Sequence, residues 1–123
     1  MNGDRIVVDT SLIINLFNGV NEVQELIAGR HLFVSVISEI ELLSFPNISA
    51  KDSELLKSFL SECYIVDIEP AIKEITIRLR ARFKIKLPDA VIAATAVYYD
   101  LPLFTMDKGF KKVTDLQAVI LTL

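Results

Sequence analysis

The sequence predicts an α/β fold: helices on both faces of a short, mostly parallel central sheet of four or five strands. Two observations carry this. Short apolar runs alternate with segments of helical periodicity along the chain, the pattern of a parallel sheet covered on both sides. The 123 residues also suit one domain over 1–123, because no repeat, low-complexity tract or long linker divides them.

The first strand, about 5–8 (Arg5, Ile6, Val7, Val8), runs straight into Asp9. A helix over roughly 11–18 follows, with Leu12, Ile13, Leu16 and Phe17 on one stripe and Gly19 as its stop. A second helix over 21–28 turns Val23, Leu26 and Ile27 inward and stops at Gly29. HLFV at 31–34 reads as the second strand. Residues 35–45 read as a helix ended by Pro46. Another helix starts near Ser49–Asp52 and places Leu55, Leu56, Phe59 and Leu60 on one face. Tyr64–Val66 is the third strand. Pro70 suits the first turn of a helix whose stripe is Ile72, Ile75, Leu79 and Phe83. Pro88 opens a helix running to about Tyr99, closed by Asp100 before Pro102. Leu103–Thr105 and Ala118–Leu121 complete the strands.

Composition removes several classes of function. AVILMFWYC residues make up 52% of the chain, but the longest apolar run, AVIAATAVYY at 90–99, falls well short of the roughly 18–20 residues that cross a bilayer. It reads as a helix buried on most sides. No secretory leader is expected, since Asp9 breaks the first apolar run and no basic segment precedes it. A single cysteine, Cys63, cannot form an internal disulfide, and a reducing, cytoplasmic setting is expected. The net charge of −3 argues against a purely electrostatic nucleic-acid binder. Neutralising four acids with bound metal would turn −3 into +1, so the distribution of charge matters more than its sum.

Acids recur where strands end. Asp9 closes the first strand, Glu39 and Glu41 lie on the helix after the second, Asp89 in the first turn of the helix from Pro88, and Asp107 after the fourth strand. Each has a local role available: Asp9 as a helix cap, Ser38-x-x-Glu41 as a capping box, Asp89 against a helix dipole, Asp107 as a turn former. These roles do not explain why the acids share one edge, which right-handed β-α-β crossovers impose. Two carboxylates about 5 Å apart repel by roughly 3 kcal/mol at an effective dielectric near 20. Four together need a cation or shared protons. An all-oxygen set suits Mg²⁺ or Mn²⁺, and such an ion can activate water against a phosphodiester. Ser11 and Thr105 are placed to bond a carboxylate or a metal-bound water.

Other chemistries lack their parts. One histidine, His31, excludes a two-histidine acid–base nuclease, and one cysteine with one histidine argues against a structural zinc site. No phosphate-binding glycine loop occurs among the four glycines. The stretch RLRARFKIK at 78–86 is basic. On a helix Arg78, Arg82 and Lys86 fall near one face; on an extended chain all five basic residues do. Beside Asp89 it can hold a phosphate backbone, with Arg82 and Lys86 as the candidates; a solvated basic face is the alternative.

Four segments, DTS at 9–11, SVISEIELL at 35–43, LPDAVIAATA at 87–96 and TMDKGF at 105–110, resemble the motifs of PIN domains, and most closely the VapC-like toxins of toxin–antitoxin pairs. The resemblance spans nearly the whole chain. It implies an α/β/α sandwich, Mg²⁺- or Mn²⁺-dependent RNA cleavage, inhibition by a small antitoxin, and a homodimer. Asp9, Glu41, Asp89 and Asp107 match the four family acids, which implies both metal ligation and catalysis. Glu41 is chosen over Glu39 because Leu42 follows it. Ser11 and Thr105 match accompanying hydroxyl positions. Leu43 departs from the pattern, standing where members more often carry a basic residue. Two rivals remain: a non-catalytic PIN-like scaffold that binds RNA or protein, and a phosphatase of another α/β fold. The second lacks the D-x-D of one common class, since position 11 is Ser.

Overall fold

The computed structural model describes residues 4–123. Five strands form one sheet: β1 (Arg5–Val8), β2 (His31–Ser35), β3 (Tyr64–Val66), β4 (Leu103–Thr105) and β5 (Ala118–Ile120). Their order is β3-β2-β1-β4-β5, and all four pairings are parallel. Six helices connect them: α1 (Thr10–Phe17), α2 (Asn21–Ile27), α3 (Val36–Leu43), α4 (Ala50–Ser61), α5 (Pro70–Arg82) and α6 (Leu87–Tyr99). A short 3-10 helix at Lys108–Lys112 follows β4 and has no counterpart in the sequence reading.

The pleat divides the core in two. Val7, Phe33 and Leu103 point to the face covered by α5 and α6. Ile6, Val8, Val34 and Phe104 point to the face covered by α1, α3 and α4. In α6, all seven residues from Ala90 to Ala96 are buried. Small side chains let this helix lie close to the sheet and to α5, as its apolar composition foretold. Thr95 survives burial because its hydroxyl donates to the Val91 carbonyl at 2.8 Å. Asp100, with φ 55°, closes α6 in the left-handed conformation, and Gly19, with φ 82°, follows α1 in the same region.

Three local expectations are corrected. The cap of α3 is Ser35, whose hydroxyl accepts from the Ile37 N–H at 3.1 Å, so Ser38-x-x-Glu41 is not a capping box. Helix α3 also stops at Leu43 instead of reaching 45. Helix α5 ends at Arg82, and Phe83 is extended (φ −124°, ψ 146°). Helical spacing therefore does not carry on from Arg82 to Lys86.

The strand order reverses at β1: the chain builds outward to β2 and β3, then crosses back to β4 and β5. Such a switch point opens a crevice beyond the strands' carboxyl ends. Here it lies between the ends of β1 and β4, where Asp9 and Asp107 follow.

Candidate metal and nucleic-acid site

Asp9 leaves β1 and caps α1, its Oδ1 accepting from the Leu12 N–H at 3.0 Å. It is only 3% exposed. A carboxylate so buried needs donors, and the neighbouring hydroxyls supply them. Ser11 Oγ lies 2.9 Å from both carboxylate oxygens, and Thr105 Oγ1 donates to Oδ2 at 2.5 Å. Each hydroxyl in turn accepts from the backbone beyond β4: Thr105 from the Asp107 N–H at 2.9 Å, Ser11 from the Met106 N–H at 3.4 Å. Two hydroxyls thus fasten the exit of β4 to the carboxylate at the exit of β1. The sequence singled out both residues without their bridging role.

Asp107 leads into the 3-10 helix, its Oδ1 accepting from the Gly109 N–H at 2.8 Å. Asp89 lies in the first turn of α6, as expected. Glu41 reaches across from α3, where its Oε1 accepts from the Thr10 hydroxyl at 2.7 Å; that hydroxyl also stands 2.9 Å from Ser38 Oγ. Glu39, two residues earlier and so on the other side of the helix, faces Lys57, Leu60 and Cys63. Thr10 was missed by sequence reasoning, although its place between Asp9 and Ser11 was the available signal.

The charges of these acids act on one another. Burial raises the Asp89 carboxyl above its ordinary value, and Asp107, Asp9 and Glu41 push it further in that order, against a small opposing pull from Lys86. Burial likewise raises Asp9, with Asp107 adding to it, while Thr105, Leu12 and Ser11 oppose the rise. No three of these acids converge closely enough to hold a metal ion in this side-chain arrangement, among the described residues. Their chemistry nonetheless fits a hard divalent cation. The donors are all oxygen, the carboxylates repel one another, and Glu41 and Asp107 are exposed enough to turn inward.

The signs give a test. A raised carboxyl binds its proton more tightly folded than unfolded. Its stabilising share is present below the unfolded value near 4 and is lost as pH rises through the raised folded value. Asp89→Asn should therefore raise the metal-free melting midpoint at pH 7 by roughly 2–5 °C. The gain should shrink on acidification toward pH 4. Thermal melts across pH 4–7 in EDTA check this.

Asp89 and Asp107 line a cleft of about 480 Å³ together with Arg80, Lys84, Lys86 and Lys112. Of the two basic candidates, Lys86 lies in this cleft. Arg82 does not: its Nη1 donates to Asp115 Oδ2 at 2.6 Å and its guanidinium stacks on Phe83. The helix end turns it away. Arg80, Lys84 and Lys112 were not singled out as binding residues from sequence; the alternation in FKIK, once α5 has ended, was the signal for Lys84.

Known proteins share this fold. The PIN domain family model matches residues 6–116. The chain belongs to the PIN domain family. As a PIN domain it resembles a chain of a toxin–antitoxin complex from Klebsiella pneumoniae, at 29% identity over 93% of this chain and 95% of that one, with a TM-score of 0.81. It shares its fold with a chain of VapBC2 from Rickettsia felis bound to a promoter DNA fragment (21% identity, 94% and 98% covered, TM-score 0.80). The same holds for DNA-bound VapBC from Salmonella typhimurium (19% identity, 94% and 97% covered, TM-score 0.81). A comparison with curated proteins found no match. No helix among the described residues is long and apolar enough to cross a membrane.

Proposed function

We propose that this PIN domain is a divalent-metal-dependent endoribonuclease, the toxin of a toxin–antitoxin pair. The observation that carries the reading is the gathering of acids at the strand-order switch point. Asp9 and Asp107 are joined through Thr105, Asp89 shares a cleft with Asp107, and Glu41 is held by Thr10 beside Asp9. Mg²⁺ or Mn²⁺ held by these four would activate a water and steady the charge of a phosphodiester in line for displacement. The chain's own part is positional. Ser11 and Thr105 fix the Asp9 carboxylate, Thr10 holds Glu41, and α6 presents Asp89 on its first turn.

Two further partners belong to the reading. The similarity to toxin–antitoxin complexes supports a small antitoxin. An apolar groove of about 300 Å³ beside α1, α3 and α4, lined in part by Phe17, Phe45, Ile48 and Leu56, suits an apolar segment of such a partner. A second copy of the chain completes a homodimer, and a cytoplasmic setting goes with an RNA substrate.

Purified chain should cut RNA with Mg²⁺ or Mn²⁺ and not with EDTA, leaving 5′-phosphate ends. End-group analysis of the fragments checks this. A 2′,3′-cyclic phosphate product would exclude attack by water.

A further inference from the structure

Beyond the acids, the cleft has a basic wall with a distinct structural origin. Past Arg82 the chain is extended at Phe83 and again at Lys86 (φ −69°, ψ 153°). Alternate side chains of an extended segment point to opposite sides. Phe83 and Ile85 accordingly pack against the core, while Lys84 and Lys86 stand exposed in the cleft. Arg80 pins the segment, its Nε donating to the Ile85 carbonyl at 3.3 Å. Lys112, at the end of the 3-10 helix, contributes from the other side.

These lysines are set apart by their place beside the acids in one cleft. The ion pairs among the described residues are Lys57–Glu54 and Arg82–Asp115, so Lys84, Lys86 and Lys112 have no carboxylate in salt-bridge contact. Asp89 and Asp107 line the same cleft, so once a divalent cation neutralises them the lysines are left to meet a further anion. The flank toward Glu41 is different: its neighbours there, Thr10 and Ser38, are neutral hydroxyl residues. The cleft lysines thus lie on the Asp89–Asp107 side of the site.

We propose that Lys84, Lys86 and Lys112 clamp backbone phosphates of the RNA strand on one side of the scissile bond, with Arg80 holding the Lys84–Lys86 segment in place. This rests on the ribonuclease reading and adds where the strand runs. Phosphate contacts position a strand without reading its sequence, so the clamp sets register and leaves target choice to other surfaces.

The test is the affinity of a fluorescein-labelled 12-nucleotide single-stranded RNA, followed by anisotropy from 50 to 200 mM salt with Mg²⁺ present. The full chain carries Asp9→Asn so that the probe stays intact. Adding Lys84→Ala and Lys112→Ala should weaken binding about tenfold and flatten the salt slope by roughly 1.4, since each lost single-strand phosphate contact removes about 0.7. Lys84→Arg with Lys112→Arg should keep both. Lys51→Ala with Lys57→Ala on α4 removes the same charge elsewhere and should change affinity less than twofold. Equal affinity with and without the cleft lysines, an equal loss from the α4 pair, or a loss with unchanged salt slope would overturn the clamp. A lysine-intact protein that binds no RNA would overturn the clamp; the ribonuclease reading falls only if the parent chain, with Asp9 in place, also leaves the RNA uncut with Mg²⁺ or Mn²⁺.

Discussion

Asp9→Asn is expected to reduce RNA cleavage by roughly 10²–10³-fold while leaving the protein folded. Asparagine keeps an oxygen for the Leu12 N–H, so the α1 cap survives. It loses one of the two carboxylate oxygens that Ser11 and Thr105 engage, and it loses the charge. Replacing a buried anion by a neutral amide also removes its desolvation cost and its repulsion with Asp107. The folded state should therefore tolerate the change. Cleavage rates beside a thermal melt separate the two effects: lost activity with an intact melt marks Asp9 as part of the reacting site. A variant that cuts as fast as the parent would leave Asp9 as a helix cap.

Phe110→Ala should destabilise the protein by about 3–5 kcal/mol, the usual cost of emptying a buried aromatic site. Phe110 is 1% exposed and packs in the core under α5 and α6, yet it also lines the cleft beside Asp107. It anchors the 3-10 helix that fixes the loop after β4. Phe110→Leu fills most of the volume and should cost far less. Urea unfolding of the three proteins checks the order. The alanine variant should also lose activity beyond its unfolded fraction, because Asp107 is no longer held.

Both expectations draw on a site that the sequence revealed unevenly. The strand RIVV entering Asp9 was readable because the apolar run and the cap are adjacent in the chain. Asp9 and Asp107 also kept their local roles: each caps a helix in the structure and sits in the acidic cluster as well. The local and site readings of these acids were never exclusive. Glu39 and Glu41 could not be separated by helical periodicity alone, since that needs the face of α3 that meets α1. The Thr10–Glu41 contact supplies it. Ser38 misled because its spacing to Glu41 fits a capping box, while Ser35, the last residue of β2, already takes the cap.

In the sequence the basic stretch is open to a helical and an extended reading, because nothing there shows where α5 stops. The helix ends at Arg82, and the period changes from 3.6 to 2. Arg82 then finds Asp115, 33 residues away, a pairing with no local trace in the sequence. The 3-10 helix after Asp107 was equally silent, because KGFKK offers one apolar residue, Phe110, and no period.

The most direct test of the central claim is titration of the metal-free chain with Mn²⁺, read by calorimetry, beside the Asp9→Asn and Asp89→Asn variants. Saturable binding by the parent that is lost in both variants is the predicted result. No binding by the folded parent, or equal binding by the variants, would contradict a metal site built from these acids. The four carboxylates would then return to their caps and turns, and a non-catalytic scaffold would describe the chain better.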